Sequence, residues 1–129
     1  MSDETGFPGK CQFKRNEAKR YVKKDVNIKG YRQMIKALRK GPIACYIYAS
    51  ESLYSYHSGM LTKDKECRRV GNNVNHAVLI TGFGKENGIF YWKAKNTWAA
   101  DWGEHGYFKI AIGKNLCNIE MQCRFPLLI

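Results

Sequence analysis

Two apolar runs, HAVLITGFG (76–84) and GIFYWKAKN (88–96), are joined through KENG. Both runs are rich in β-branched and aromatic residues, and the join is a hairpin signal. A hairpin fixes which chain ends meet. The ends away from the turn carry His76 and Asn96, so the pairing predicts that these two polar residues are neighbours. An asparagine oxygen can accept from one imidazole nitrogen and fix the tautomer, leaving the other nitrogen free to exchange protons with a nucleophile. Trp98, two residues on, can shield that bond from water. The same geometry also suits a purely structural hydrogen bond, so the pair alone does not separate a catalytic base from a packing corner.

The rest of the chain supplies partners for the hairpin. Residues 1–26 are polar and weakly patterned and read as a surface segment. Asn27 is a candidate cap for a helix running to about Lys40, with Tyr31, Met34, Ile35 and Leu38 on one stripe. Gly41 and Pro42 stop it. PIACYIYA (42–49) reads as a strand, SESLYSYHSG (50–59) as a helical turn and loop, and TKDKECRRVGNN (62–73) as a long polar connection. GYFKIAIG (106–113) is a further strand. RFPLLI is read as a last edge strand, where Pro126 needs no ladder bond. The expected fold is α+β over 1–129 as a single domain. Within it, 27–129 form one helix plus a rolled, barrel-like antiparallel sheet.

Composition narrows the function classes. With 44% hydrophobic and 13% aromatic residues the chain can form a packed core. It has no apolar run long enough to span a membrane and no basic-then-apolar leader at its start. Its net charge of +11 is concentrated between Lys10 and Lys40, against only Glu17 and Asp25 in that stretch. Such a block reads as a solvated face, or as a surface for acidic glycans. For nucleic acid only the charge speaks, with no recognition motif beside it. The cysteines are Cys11, Cys45, Cys67, Cys117 and Cys123. No CxxC pair occurs, which argues against a zinc site or a thioredoxin-type motif, and no metal or cofactor is expected. His57 and His105 read as exposed loop residues. Tyr54, Tyr56, Phe83, Tyr91 and Phe108 read as core or surface packing rather than a ligand cage.

NHAVLITGFG, YWKAKNTW and WGEHGYFKI, in this order and spacing, resemble the second half of a papain-like cysteine peptidase. GPIACYIYA, YHSGML and NLCNIE match further positions. Within that family, GPIAC together with IEMQC is similar to cathepsin X. The resemblance implies the strand-rich right lobe of the fold, with His76 as the catalytic base and Asn96 as its orienting residue. It implies that Trp98 covers their bond and that Trp102 forms the primed-side wall. Tyr46, Val74, Ala77 and Gln122 match the pocket for the second residue on the acyl side of the cut. Asn75 matches a backbone carbonyl offered to a peptide substrate.

The resemblance also implies disulfides Cys67–Cys117 and Cys45–Cys123, and with them a lysosomal or extracellular setting. Cys11 matches a cysteine whose family partner lies in the helical lobe. The nucleophilic cysteine, in a C-G-S-C-W-like stretch, and the oxyanion glutamine of the family are absent. The expected partner is therefore an N-terminal helical lobe or light chain, with Cys11 as the candidate link. The stretch ETGFPGKC matches the family's inter-lobe region. The competing reading is a truncated, non-catalytic homologue used as a binding module or inhibitor decoy. Ala99 stands where the family has glycine, a substitution that is costly if the backbone there takes a positive φ.

Overall fold

The computed structural model describes residues 9–128. Seven strands form one sheet: β1 (Val22–Ile28), β2 (Ile43–Ile47), β3 (Met60–Leu61), β4 (His76–Glu86), β5 (Ile89–Lys95), β6 (Tyr107–Ala111) and β7 (Cys123–Leu128). Their spatial order is β1-β7-β2-β4-β5-β6-β3. All neighbours are antiparallel except β3 and β6, which run parallel. Helix α1 (Tyr31–Leu38) and the short α2 (Glu51–Tyr54) complete the α+β fold.

The hairpin forms where the apolar runs required it. Its turn is tighter than KENG, because Lys85 and Glu86 already pair with Phe90 and Ile89. Only Asn87 (φ 51°) and Gly88 (φ 80°) turn, both with positive φ. Such a turn matches the twist of the flanking strands and favours Asn-Gly. Between Ile80 and Gly82 the register shifts by one residue. Thr81 occupies the bulge, and its hydroxyl donates to Lys93 O at 3.3 Å.

One face of the sheet is the core. In β2, Ile43, Cys45 and Ile47 are buried while Ala44 and Tyr46 face out, the period of two that a half-buried strand imposes. Val78, Ile80, Trp92, Ala94, Phe108 and Ile110 extend this layer, and Met34 of α1 closes over it. Each large apolar side chain so buried contributes about 1.5–3 kcal/mol.

Three expectations are corrected. Asn27 does not cap the helix; it lies in β1, and α1 begins after Gly30 (φ 84°). Residues 22–26 are not a loose surface segment but part of a strand paired with β7. Its signal was masked because Val22, Lys23, Lys24 and Asp25 are all exposed and only Ile28 is fully buried. For the same reason β7 is not an edge strand, since it lies between β1 and β2. Pro126 nevertheless sits past the last β2 partner, Ala44↔Arg124, so that flank of β7 makes no ladder there. The stretch beginning at Glu4 that was matched to an inter-lobe region lies partly outside the described residues, as does Ile129.

A buried carboxylate ties the layers together. Glu120 is 6% exposed. Its Oε2 accepts from Trp92 Nε1 at 2.9 Å and from the Gly113 amide at 2.8 Å, and its Oε1 accepts from the Asn115 amide at 3.3 Å. The Glu120 carbonyl accepts from Gly30 at 2.8 Å, at the start of α1. Glu120→Ala strands the fully buried Trp92 N–H and two amides. It is expected to cost about 3 kcal/mol, the scale of unsatisfied buried donors. A denaturant midpoint unchanged from the parent chain would contradict this.

Candidate active site

His76 opens β4 and Asn96 follows the last residue of β5. His76 Nε2 lies 2.7 Å from Asn96 Oδ1. The Thr97 amide also donates to Asn96 Oδ1, at 2.8 Å. A backbone N–H needs an acceptor, so the Asn96 amide group cannot be flipped. His76 Nε2 must then carry the proton in this bond, and Nδ1 is left as the free, basic nitrogen. Asn96 is 6% exposed, and its Nδ2 has no partner among the described residues.

Aromatic rings shield the pair. The Trp98 indole stacks on the imidazole, with centroids 4.9 Å apart and planes 23° apart. Its other stacking partner is Tyr54, at 4.5 Å and 8°. Trp102 meets Trp98 edge-on at 5.2 Å, and its Nε1 donates to Tyr54 O at 3.2 Å. Tyr54, Trp98, Asp101 and Trp102 enclose an open recess of about 410 Å³. Tyr54 packs at the surface: it is 61% exposed and forms part of this wall. Nothing in its local sequence pattern sets it apart, because α2 makes the contact with a residue far along the chain. Tyr56, its near neighbour, is core: burial raises its phenol above the ordinary tyrosine value, and it donates to Gly59 O at 2.5 Å.

The remaining expected site residues fall in two groups. Tyr46 pairs with Ala77 across β2 and β4, and its amide donates to Gln122 O at 3.0 Å. These three form one exposed row beside His76. Val74 is half-buried just upstream. The Asn75 side chain is engaged structurally: its Oδ1 accepts from the Ala49 amide at 2.7 Å, while the Asn75 backbone N–H donates to Ile47 O at 3.1 Å. His57 and His105 are exposed. The disulfides are Cys45–Cys123 and Cys67–Cys117, leaving Cys11 free and exposed. Asp64 lies beside Cys67 and Cys117, but their joined sulfurs offer no thiolate to a metal.

The loop from Trp98 to Gly106 is held by its own backbone. Asn96 donates to Gly106 O at 2.9 Å and Gly106 to Trp102 O at 2.8 Å. Gly103 (φ 60°) has no room for a side chain, since a Cβ there would lie 2.7 Å from Tyr107 O. Ala99 has φ 71°, the left-handed region where a Cβ is strained. Ala99→Gly is therefore expected to stabilise the chain by about 1 kcal/mol, seen as a rise in melting temperature of roughly 3–5 °C. A lowered melting temperature would contradict the assignment of strain to this residue.

The model of the papain family cysteine proteases matches residues 2–127. Mouse pro-cathepsin H is 36% identical over 125 residues, covering 95% of this chain and 37% of that protein. The rice oryzain gamma chain is 37% identical over 128 residues, covering 95% of this chain and 34% of that protein. The chain thus spans about a third of the length of these curated relatives. Among solved structures, a procathepsin L2 from the midgut of Tenebrio molitor larvae superposes with a TM-score of 0.80 at 34% identity. It is matched over 92% of this chain and 38% of its own. Bromelain from Ananas comosus, solved with the inhibitor E64, gives 0.73 at 30% identity, over 82% of this chain and 50% of its own. With almost its whole length matched by the family model and by such relatives, the chain belongs to the papain family of cysteine proteases.

Proposed function

We propose that the chain is the strand-rich half, or heavy chain, of a cysteine peptidase. It supplies His76 and Asn96 to a cysteine carried by an N-terminal helical lobe, and the peptide substrate lies between the two. The observation that carries this reading is the 2.7 Å His76–Asn96 bond beneath Trp98, with the imidazole Nδ1 left free. In that role Nδ1 takes the thiol proton, and the thiolate attacks the scissile carbonyl. Nδ1–H then protonates the leaving amine, and Nδ1 activates the water that releases the acyl group. Asn96 keeps Nε2 protonated throughout. Asn75 contributes a backbone carbonyl, Trp102 the primed-side wall, and Tyr46, Val74, Ala77 and Gln122 the acyl-side pocket. Cys11, free and exposed, is the candidate link to the other lobe. The two disulfides favour a lysosomal or extracellular setting.

The test is reconstitution with a helical lobe of the family bearing its cysteine. The isolated chain is expected to hydrolyse no peptide by this route, and the refolded pair to do so. His76→Ala should lower kcat by at least about 100-fold. Asn96→Ala should lower it less, while leaving binding of a peptide aldehyde largely intact. A folded pair with no activity, or one indifferent to His76, would sink the reading.

A second reading, a non-catalytic binding module for acidic glycans, is favoured by the exposed cations of β1 and its approach, including Lys19, Arg20, Lys23 and Lys24. It requires retention on heparin at physiological salt, lost on charge reversal at those four positions. Passage of the parent chain through the column unretained would count against it.

A further inference from the structure

The outer face of the sheet carries a lane of exposed side chains leading away from His76. Ala77 is paired with Tyr46, and the Tyr46 amide meets Gln122 O. The Ile28↔Cys123 pair, extended by one step, sets Gln122 opposite Lys29. Ala77, Tyr46, Gln122 and Lys29 are all exposed. With strands about 4.8 Å apart, the lane runs roughly 14 Å from Ala77 to Lys29. In the next row of the same face, Asn27 stands opposite Arg124. Tyr46, Gln122, Lys29, Asn27 and Arg124, together with Asn72, line a groove of about 550 Å³, and Ala77 stands outside it on the His76 side.

The charge in this groove has one sign. Its ionised lining residues are Lys29 and Arg124; the other polar ones are carboxamides and a phenol. Arg124 reaches Asp25 at 3.3 Å, but both side chains are about half exposed, so the pair is weak. Lys29 has no carboxylate partner among the described residues. Neutral donors along the walls and cations at the far end favour an anionic side chain over a neutral one of equal shape. The net charge of +11 acts in the same direction at longer range.

We propose that a peptide crossing Ala77 and Tyr46 binds preferentially when it places an aspartate or glutamate side chain in this groove, against Lys29 and Arg124. The proposal rests on the peptide-binding reading above, but Lys29, Asn27, Asn72 and Arg124 carry none of the roles that the family resemblance implies.

The probes are fluorescein-labelled, blocked hexapeptides that differ only in a glutamate or glutamine placed at each position in turn. Anisotropy with the 129-residue chain at low salt should find a position where glutamate binds more tightly than glutamine, by about fivefold, the upper range for an exposed ion pair. The preference should vanish in Lys29→Ala, survive in Lys29→Arg, and shrink as salt is raised. Lys29 is exposed, so these variants are expected to keep the parent's circular dichroism. Equal binding of every glutamate and glutamine pair, a preference that persists in Lys29→Glu, or no binding of any peptide would overturn the proposal. The reconstituted pair separates it from the catalytic reading. A Lys29-dependent preference in binding without cleavage of any peptide defeats catalysis and leaves the groove. Cleavage of both peptides with equal kcat/KM defeats the groove and leaves catalysis.

Discussion

The ladder between β4 and β5 carries most of the architecture. Its Leu79↔Lys95 and Ile80↔Ala94 pairs, continued past the end of β5, bring Trp98 level with His76. A slip of one residue would turn Trp92 and Ala94 out of the core and move Asn96 away from the imidazole. Two features pin the register. The Asn87-Gly88 turn closes one end, and the Thr81 bulge absorbs the single extra residue of β4 in between. Burial of Trp92 then makes any alternative costly, because its N–H would lose Glu120 as well as its apolar contacts.

What surrounds the hairpin is held by cross-links rather than by helices. The one α-helix of substance covers a single side of the sheet, and long connections run elsewhere. Cys45–Cys123 joins neighbouring strands across 78 positions of sequence, and Cys67–Cys117 anchors the polar connection across 50. Loop closures of this length are worth about 4 kcal/mol each in the chain-entropy account of disulfides. Beside the second bridge, Ser50 caps α2 by accepting from the Leu53 amide while donating to buried Asp64 at 2.5 Å. The Asp64 carboxylate also accepts from the Cys67 amide at 3.1 Å, so the cap, the connection and the bridge form one unit.

The parts of this fold that can be read from the sequence are those whose pattern is local. The β-forming runs of β2 and β4, the stop at Gly41-Pro42 and the His76–Asn96 juxtaposition all follow from runs of a few residues. β1 could not be read that way. It is an outer strand whose lysines face solvent, so it lacks the alternation that marks burial, and its strand character comes from β7, about a hundred residues later. The misplacement of β7 at an edge was the same error seen from the other side. Tyr54 was hidden for a related reason. Its ring is set by α2 against a tryptophan from a distant loop, and a tyrosine on a four-residue helix carries no periodic signal. The Ala99 backbone was legible only as a conditional, because its meaning depends on the 71° φ.

Among the described residues, Asn96 and Trp98 hold the His76 ring. The proton on Nε2 is held by Asn96, whose own orientation is set by the Thr97 amide, and the ring plane is set by Trp98, braced in turn by Tyr54 and Trp102. Under the proposed function, an imidazole oriented in advance would lose little freedom on meeting a nucleophile, the condition for positional catalysis. The strain at Ala99 sits on the same loop, one residue beyond the indole that covers the bond. A left-handed residue there turns the chain so that Trp102 can donate to Tyr54 O and clasp the stacked rings. The cost of that backbone geometry is thus borne by the wall, while neither His76 nor Asn96 takes a positive φ.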